Sequence, residues 1–214
     1  EGLPENKLSP STKIDKVWGP WRRIARAWAG DEKTRFEGST GGVLTALAQF
    51  MLNDKRVDFI LHVKASVKDP TFGESYLSFT EADVLETGGS RYGPSAPLII
   101  IDKILARGQT FAFIGKPCDI AALRNLAQYD VRVNELVKYW LTPVCGGFMA
   151  PYSMDSFLSR AGVARKSLTA FRYRGQGCPG PTRVETAEEV KEFHYLDFWG
   201  DDESGWHLPF RCKI

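Results

Sequence analysis

"GSTGGVLTALAQFMLNDKRVDFILHV", running from Gly38 to Val63, is the stretch whose reading decides the fold class. Gly, Ser and Thr come first, in a loop without apolar period. Val43, Leu44, Leu47, Phe50 and Met51 then recur at helical spacing, so the segment predicts a helix with one apolar face. Val57 to Val63 is a short, nearly continuous apolar run, as a buried strand would be. The unit reads as glycine loop, helix, strand.

The same grammar recurs along the chain. "ESYLSF" reads as a strand, and "TEADVLE" as a short helix in which Thr80 caps and Asp83, three residues on, completes a capping-box-like start. "TGGSRYGPSAP" is a second glycine loop, leading into the apolar-periodic "LIIIDKILARG". "QTFAFIG" is a short buried strand, and "KPCDIAALRNLAQ" the helix after it, with Pro117 in the first turn where its missing N–H costs nothing. "LVKYWLTPVCGG" reads as a strand ending in a Cys-Gly-Gly loop, and "SMDSFLSRAGV" as a helix capped by Ser153. "SLTAFRYRGQGCPGPTRVET" predicts two strands joined by a glycine-rich loop, before an aromatic, acidic segment from Phe193 to Trp206. Upstream, residues 1–20 form a peripheral lead-in, and Arg22 to Ala29 alternates partly as a strand would. The predicted class is α/β: a mixed, largely parallel sheet with flanking helices and antiparallel additions.

Bulk composition narrows the function. Of 214 residues, 43% are hydrophobic and 25% charged, an ordinary globular balance large enough for a substantial core. The 28 basic and 26 acidic residues are interspersed, which argues against nucleic acid or an anionic membrane as partner. No apolar run reaches the roughly 18 to 20 residues of a membrane span, and the N-terminus lacks the apolar centre of a secretion signal, so a cytoplasmic location is expected. Four cysteines are too few for a disulfide framework.

Four loops bear on chemistry: "GSTGGVLT", "GGSRYGPS", "GKPCD" and "VCGG". In α/β sheets such loops converge at the carboxyl ends of strands, where helix N-termini present unpaired N–H groups suited to phosphate. None matches the dinucleotide fingerprint or the P-loop, so glycine spacing names no cofactor, and ordinary turns are the competing reading. Cys118, Cys145, Cys178 and Cys212 stand beside Pro, Gly or Arg in loop contexts, open to ligation or to plain burial. A nucleophilic Cys118 needs a base; of His62, His194 and His207, His62 lies inside a predicted strand and reads as a core or edge histidine. Trp199, Trp206 and Tyr195 read as packing groups of the C-terminal segment.

Taken in order, "GSTGGVLTAL", "GSRYGPSAPL", "GKPCDIAALRNL", "VCGGFMAPYS", "FRYRGQGCPGPTRVET" and "PFRCKI" resemble the pattern of the coenzyme F420 hydrogenase and dehydrogenase beta subunits. That resemblance runs from about "VWGPW" to the last residue. It implies a flavoprotein that binds FAD and 4Fe-4S clusters and passes electrons between a reduced carrier, deazaflavin or ferredoxin, and a hydrogenase or dehydrogenase subunit or a small substrate. Relatives include reductases of chlorophyll-type pigments.

Carried over residue by residue, Ser39, Thr40, Gly41, Gly42 and Thr45 line the flavin phosphate or ring, and Gly89, Ser90, Arg91 and Tyr92 form its second wall. Lys116 sits beside the flavin as the catalytic candidate, and Cys118, Cys145 and Cys212 become cluster ligands. Residues 21–214 would then form one flavin-binding domain. Cys178 departs from the family, which more often has Trp there, and the family's ferredoxin-like cysteines and last C-terminal cysteine have no counterpart, so a piece of a longer chain is expected. The competing class is a binding or assembly module with structural cysteines.

Overall fold

The computed structural model describes residues 13–17 and 19–199. Its centre is a four-stranded sheet built from β3 (Phe59–Ala65), β4 (Gly73–Ser78), β5 (Phe111–Ile114) and β6 (Val137–Leu141), in the order β4-β3-β5-β6. β3, β5 and β6 run parallel, and β4 pairs antiparallel with β3, so the sheet is mixed and mostly parallel. Parallel neighbours need crossovers that cover both faces, which is why these strands are apolar on both sides.

The two faces are separable by register. Phe59, Leu61, Phe111 and Phe113 point to one face, where they pack with Ile104 and Leu105 of α4 (Ile101–Leu105), Leu123 of α5 (Pro117–Leu126) and Val133 of α6 (Val131–Leu136). Ile60 and Ala112 point to the other, against Ala48 and Met51 of α2 (Val43–Asn53) and Val84 of α3 (Glu81–Glu86). Phe59 and Phe111 stack at 5.1 Å between ring centres. Each fully buried ring contributes about 2 to 3 kcal/mol from apolar burial alone.

A second layer system follows in sequence. β7 (Leu168–Arg172), β8 (Thr182–Thr186) and β9 (Val190–Phe193) form an antiparallel sheet. Phe171 and Val184 face Met154, Phe157 and Leu158 of α7 (Pro151–Arg160) and Phe198 of α8 (Tyr195–Trp199). Tyr92, from the loop before α4, packs edge-on against Tyr173 at 5.4 Å and against Trp199 at 5.0 Å. The backbone N–H of Met149 donates to Tyr92 O at 2.7 Å. That loop therefore packs into the second core, while Ser95 bridges to Gly73 of the central sheet.

Three expectations are corrected. Arg22 to Ala29 is not a strand: pairing ends at Trp21, in the small hairpin of β1 (Lys13–Asp15) and β2 (Gly19–Trp21), and among the described residues no neighbour offers a ladder beyond it. α7 begins at Pro151 rather than after Ser153, because Ala150 is held extended before the proline, which takes the first helical position. The short helices α1 (Glu32–Glu37) and α6, capped by Asp31 and Asp130, stand where no element was predicted. Residues 1–12, Trp206 and Cys212 lie outside the described residues.

Candidate functional site

The carboxyl ends of β3 and β5 are tied together by one serine. Ala65, the last residue of β3, pairs with Gly73, and Gly73 bridges in parallel to Ser95. Lys116, two residues past the end of β5, donates from Nζ to Ser95 Oγ at 2.7 Å. The same Nζ is 2.7 Å from Asp119 Oδ2, a pair in the first turn of α5. The loop 88–95 thus crosses the edge where the parallel strands end, the usual place for a binding crevice in an open α/β sheet.

At its other end that loop meets the start of α2. The backbone N–H of Ser90 donates to Ser39 Oγ at 2.9 Å. Thr40, Gly41 and Gly42 are all left-handed, with φ of 55°, 69° and 70°. At Gly42 a Cβ would lie 2.5 Å from Thr34 O, so only glycine lets the loop approach α1 this closely. α2 then starts with neither a side-chain cap nor an acidic residue in its first turn. Its leading N–H groups and positive dipole end therefore have no side-chain cap of their own. Thr45 lies against the backbone of Gly88, its Oγ1 3.8 Å from where a Cβ there would be.

Arg174 closes the cluster, donating to Thr40 Oγ1 at 2.6 Å and to Ser90 Oγ at 3.2 Å. It was not singled out from sequence as a site residue, although it lies in the "FRYRG" motif; Ser95 and Asp119 were also missed. Nothing local marks Arg174 or Ser95, since each acts across the fold, whereas Asp119 pairs with Lys116 three residues before it, a spacing the sequence does show.

The structure brings Ser39, Thr40, Gly41, Gly42, Thr45, Gly89, Ser90 and Lys116 to one edge through these contacts. Arg91 and Tyr92 turn the other way. Arg91 donates to Pro70 O at 3.2 Å and to Phe171 O at 3.0 Å, and burial lowers its pKa from the ordinary arginine range. Tyr92 OH is 3.3 Å from Tyr195 OH, and burial, with that hydrogen bond, pushes it up to about 12.

Cys118 is the second residue of α5 and half-buried, and Cys145 is exposed with Sγ 3.6 Å from Gly147 O. Each lies four residues past a strand end, Ile114 and Leu141, which pair with each other in the sheet. The two segments that carry them therefore leave the sheet from paired strand ends. Cys178 is exposed, and among the described residues no three metal-ligating side chains come together. Thiolates such as Cys118 and Cys145 are of the donor type that holds an iron-sulfur cluster, and the uncapped α2 start with Arg174 beside Thr40 suits a phosphate.

The fold is thus that of an α/β protein with a mostly parallel sheet, in which loop 88–95 links the end of β5, through Lys116, to the glycine turn before α2. The chain belongs to the coenzyme F420 hydrogenase/dehydrogenase beta subunit family: its N-terminal part matches over residues 24–101 and its C-terminal part over residues 108–214. Members of this family are oxidoreductase subunits. The chain is 33% identical over 112 residues to an F420-dependent formate dehydrogenase subunit beta of Methanocaldococcus jannaschii, covering 52% of this chain and 29% of that protein. It is 24% identical over 184 residues to a coenzyme F420-dependent sulfite reductase of the same organism, covering 78% of this chain and 28% of the relative. The chain therefore spans less than a third of these curated relatives. A chain in the F420-reducing NiFe hydrogenase complex of Methanosarcina barkeri shares the fold, with a TM-score of 0.58 at 18% identity, over 80% of this chain and 60% of that one. Among the described residues no helix is long and apolar enough to cross a membrane.

Proposed function

We propose that this chain is an electron-transfer oxidoreductase module that binds FAD at the α2 start and loop 88–95. It would pass electrons between a reduced carrier, coenzyme F420 or ferredoxin, and a partner hydrogenase or dehydrogenase subunit or a small oxidised substrate. The observation that carries the reading is the set of contacts along loop 88–95: an uncapped α2 start, with Ser90 held by Ser39 and Arg174, and Lys116 held at Ser95.

FAD, when bound, supplies two-electron acceptance with one-electron release, and an iron-sulfur cluster supplies one-electron relay. The chain's own part is positioning. The leading N–H groups of α2 hold a phosphate, and Gly41 and Gly42 let the backbone approach it. Lys116, oriented by Asp119 and Ser95, places a cation where negative charge would develop on a reduced ring. Cys118 and Cys145, with Cys212, are the proposed thiolates for iron.

The test is an anaerobic UV-visible spectrum of the purified protein, with released chromophore and iron quantified. Bound FAD supports the reading and makes iron content the measure of the cysteine assignment. A colourless protein that takes up neither FAD nor iron on reconstitution overturns it. Lys116→Ala should weaken FAD binding about tenfold, as expected for loss of one charge-assisted contact. Unchanged FAD affinity by fluorescence titration would remove Lys116 from the site.

A further inference from the structure

Three arginines and two glutamates, Glu86 and Glu185, line a cavity of about 270 Å³ between loop 88–91 and the β7–β8 sheet. Arg91 comes from the loop, Arg172 from β7 and Arg183 from β8. Arg172 and Arg183 occupy directly opposed register positions. Like charges in that arrangement destabilise a strand pair, so their retention needs a counter-charge.

Arg183 has one within the fold, since its Nε is 2.7 Å from Glu185 Oε1 and its Nη1 is 3.5 Å from Glu192 Oε1. Arg172 has only the charge of Glu37 acting on it without a direct ion pair, and Arg91 has no carboxylate acting on it. Among the described residues neither enters an ion pair, and both commit terminal nitrogens to carbonyls: Arg172 to Glu37 O, Arg91 to Pro70 O and Phe171 O. Arg172 Nε and Arg91 Nε are buried and meet no hydrogen-bond acceptor among the described residues. Burial lowers the pKa of both guanidiniums; Glu37 opposes this at Arg172 and Tyr173 at Arg91, while Arg183 adds to it at Arg172 and Arg172 at Arg91. The chain even passes Arg172 with a glycine: at Gly175 a Cβ would lie 2.5 Å from Arg172 Nε.

We infer that this cavity is a subsite for a small oxyanion of the phosphate or carboxylate class, held by Arg91 and Arg172, with Arg183 fixed beside them by Glu185 and Glu192. Guanidinium groups recognise such planar or tetrahedral anions through paired N–H donors. The volume is below the roughly 300 to 1,000 Å³ of pockets that enclose drug-sized ligands, so it suits one anionic group rather than a whole dinucleotide. Gln176, also lining the cavity, supplies a neutral amide donor. The anion is either a phosphate of the proposed flavin, whose second wall shares Ser90 and Arg91, or a separate oxyanion.

The test is calorimetric titration of the purified protein with inorganic phosphate, repeated after saturation with FAD. One phosphate per chain is expected, bound about tenfold more weakly by Arg172→Gln and by Arg183→Gln, with circular dichroism reporting that each variant is folded. Should Arg172→Gln fail to fold, Arg183→Gln, on the sheet surface, carries the comparison. Phosphate excluded by FAD assigns the subsite to the dinucleotide; phosphate bound alongside FAD assigns it to a separate oxyanion. Either result supports the subsite. No phosphate binding by the parent protein, or equal affinity in the folded variants, overturns it. A colourless protein that still binds phosphate through these arginines would retire the flavin reading and leave the subsite standing.

Discussion

His62 shows how much a single residue contributes through its surroundings. Its ring is 8% exposed, with Nε2 2.7 Å from Ser78 Oγ and 3.4 Å from Thr87 Oγ1. Burial lowers its pKa from 6.5 to about 4, with Asp83 opposing. Between those values the unfolded chain binds a proton that the folded chain does not. Stability is therefore full above about pH 6.5 and falls as the pH drops toward 4, by on the order of 3 kcal/mol across the window. The lowered carboxyls of Asp69 and Asp83 lose their contributions only below that window, so the two effects separate. Urea midpoints at about pH 7 and about pH 4.5 should differ clearly, and much less in His62→Leu; equal differences in both proteins would refute the assignment. Gly42 makes a different kind of residue-scale contribution. Gly42→Ala would place a methyl 2.5 Å from Thr34 O at a φ of 70°, at a cost of about 3 kcal/mol, read as a melting temperature lower by roughly 10 °C. Gly30→Ala, where a Cβ meets nothing within 4 Å, is the control and should shift it by no more than about 2 °C.

Elements whose signals are local were legible. The α3 start needed only four consecutive residues, and its capping box is present as read, with Asp83 N–H donating to Thr80 Oγ1 at 3.1 Å and Thr80 N–H to Asp83 Oδ2 at 3.0 Å. Thr80→Ala should cost about 1 kcal/mol, visible as a small drop in urea midpoint and as faster amide exchange across residues 81–86 before the sheet exchanges. Exchange unchanged in α3 would show that tertiary packing of Val84, not the cap, holds the helix. The strands β3 and β5 were legible for a related reason: both faces are buried, so their apolar runs are nearly unbroken. α1 and α6 were not, because six residues make less than two turns and show no period to find. Arg22 to Ala29 fails in the opposite sense, since alternation is a local property and a strand is not. Its neighbour in space decides, and among the described residues none pairs with it. Ser153 misled because it is a good capping residue near a helix start, while Pro151 and the extended Ala150 had already begun the turn.

At the scale of the molecule the candidate site is a product of strand order. Spacing showed four glycine or cysteine loops, and resemblance to a family suggested their use. Which loops meet depends on β3, β5 and β6 lying parallel side by side, and on loop 88–95 packing into the second core while Ser95 bridges to the central sheet. Arg174 is the clearest case, because 134 residues separate it from Thr40, whose hydroxyl it holds. It links the antiparallel sheet to the α2 start and to Ser90. Its loss should therefore act on the crevice rather than on either core. Two hydrogen bonds to hydroxyls contribute about 1 kcal/mol each, so Arg174→Gln should lower the folding free energy by no more than about 2 kcal/mol. The larger effect falls on binding, since the left-handed Thr40 to Gly42 turn and the Ser39 to Ser90 contact would no longer be held in one geometry before the ligand arrives. FAD affinity should drop about tenfold by fluorescence titration, while the exposed Arg124→Gln on α5 leaves it unchanged. Equal affinity in Arg174→Gln and the parent protein would mean that the two sheets hold the crevice without this link.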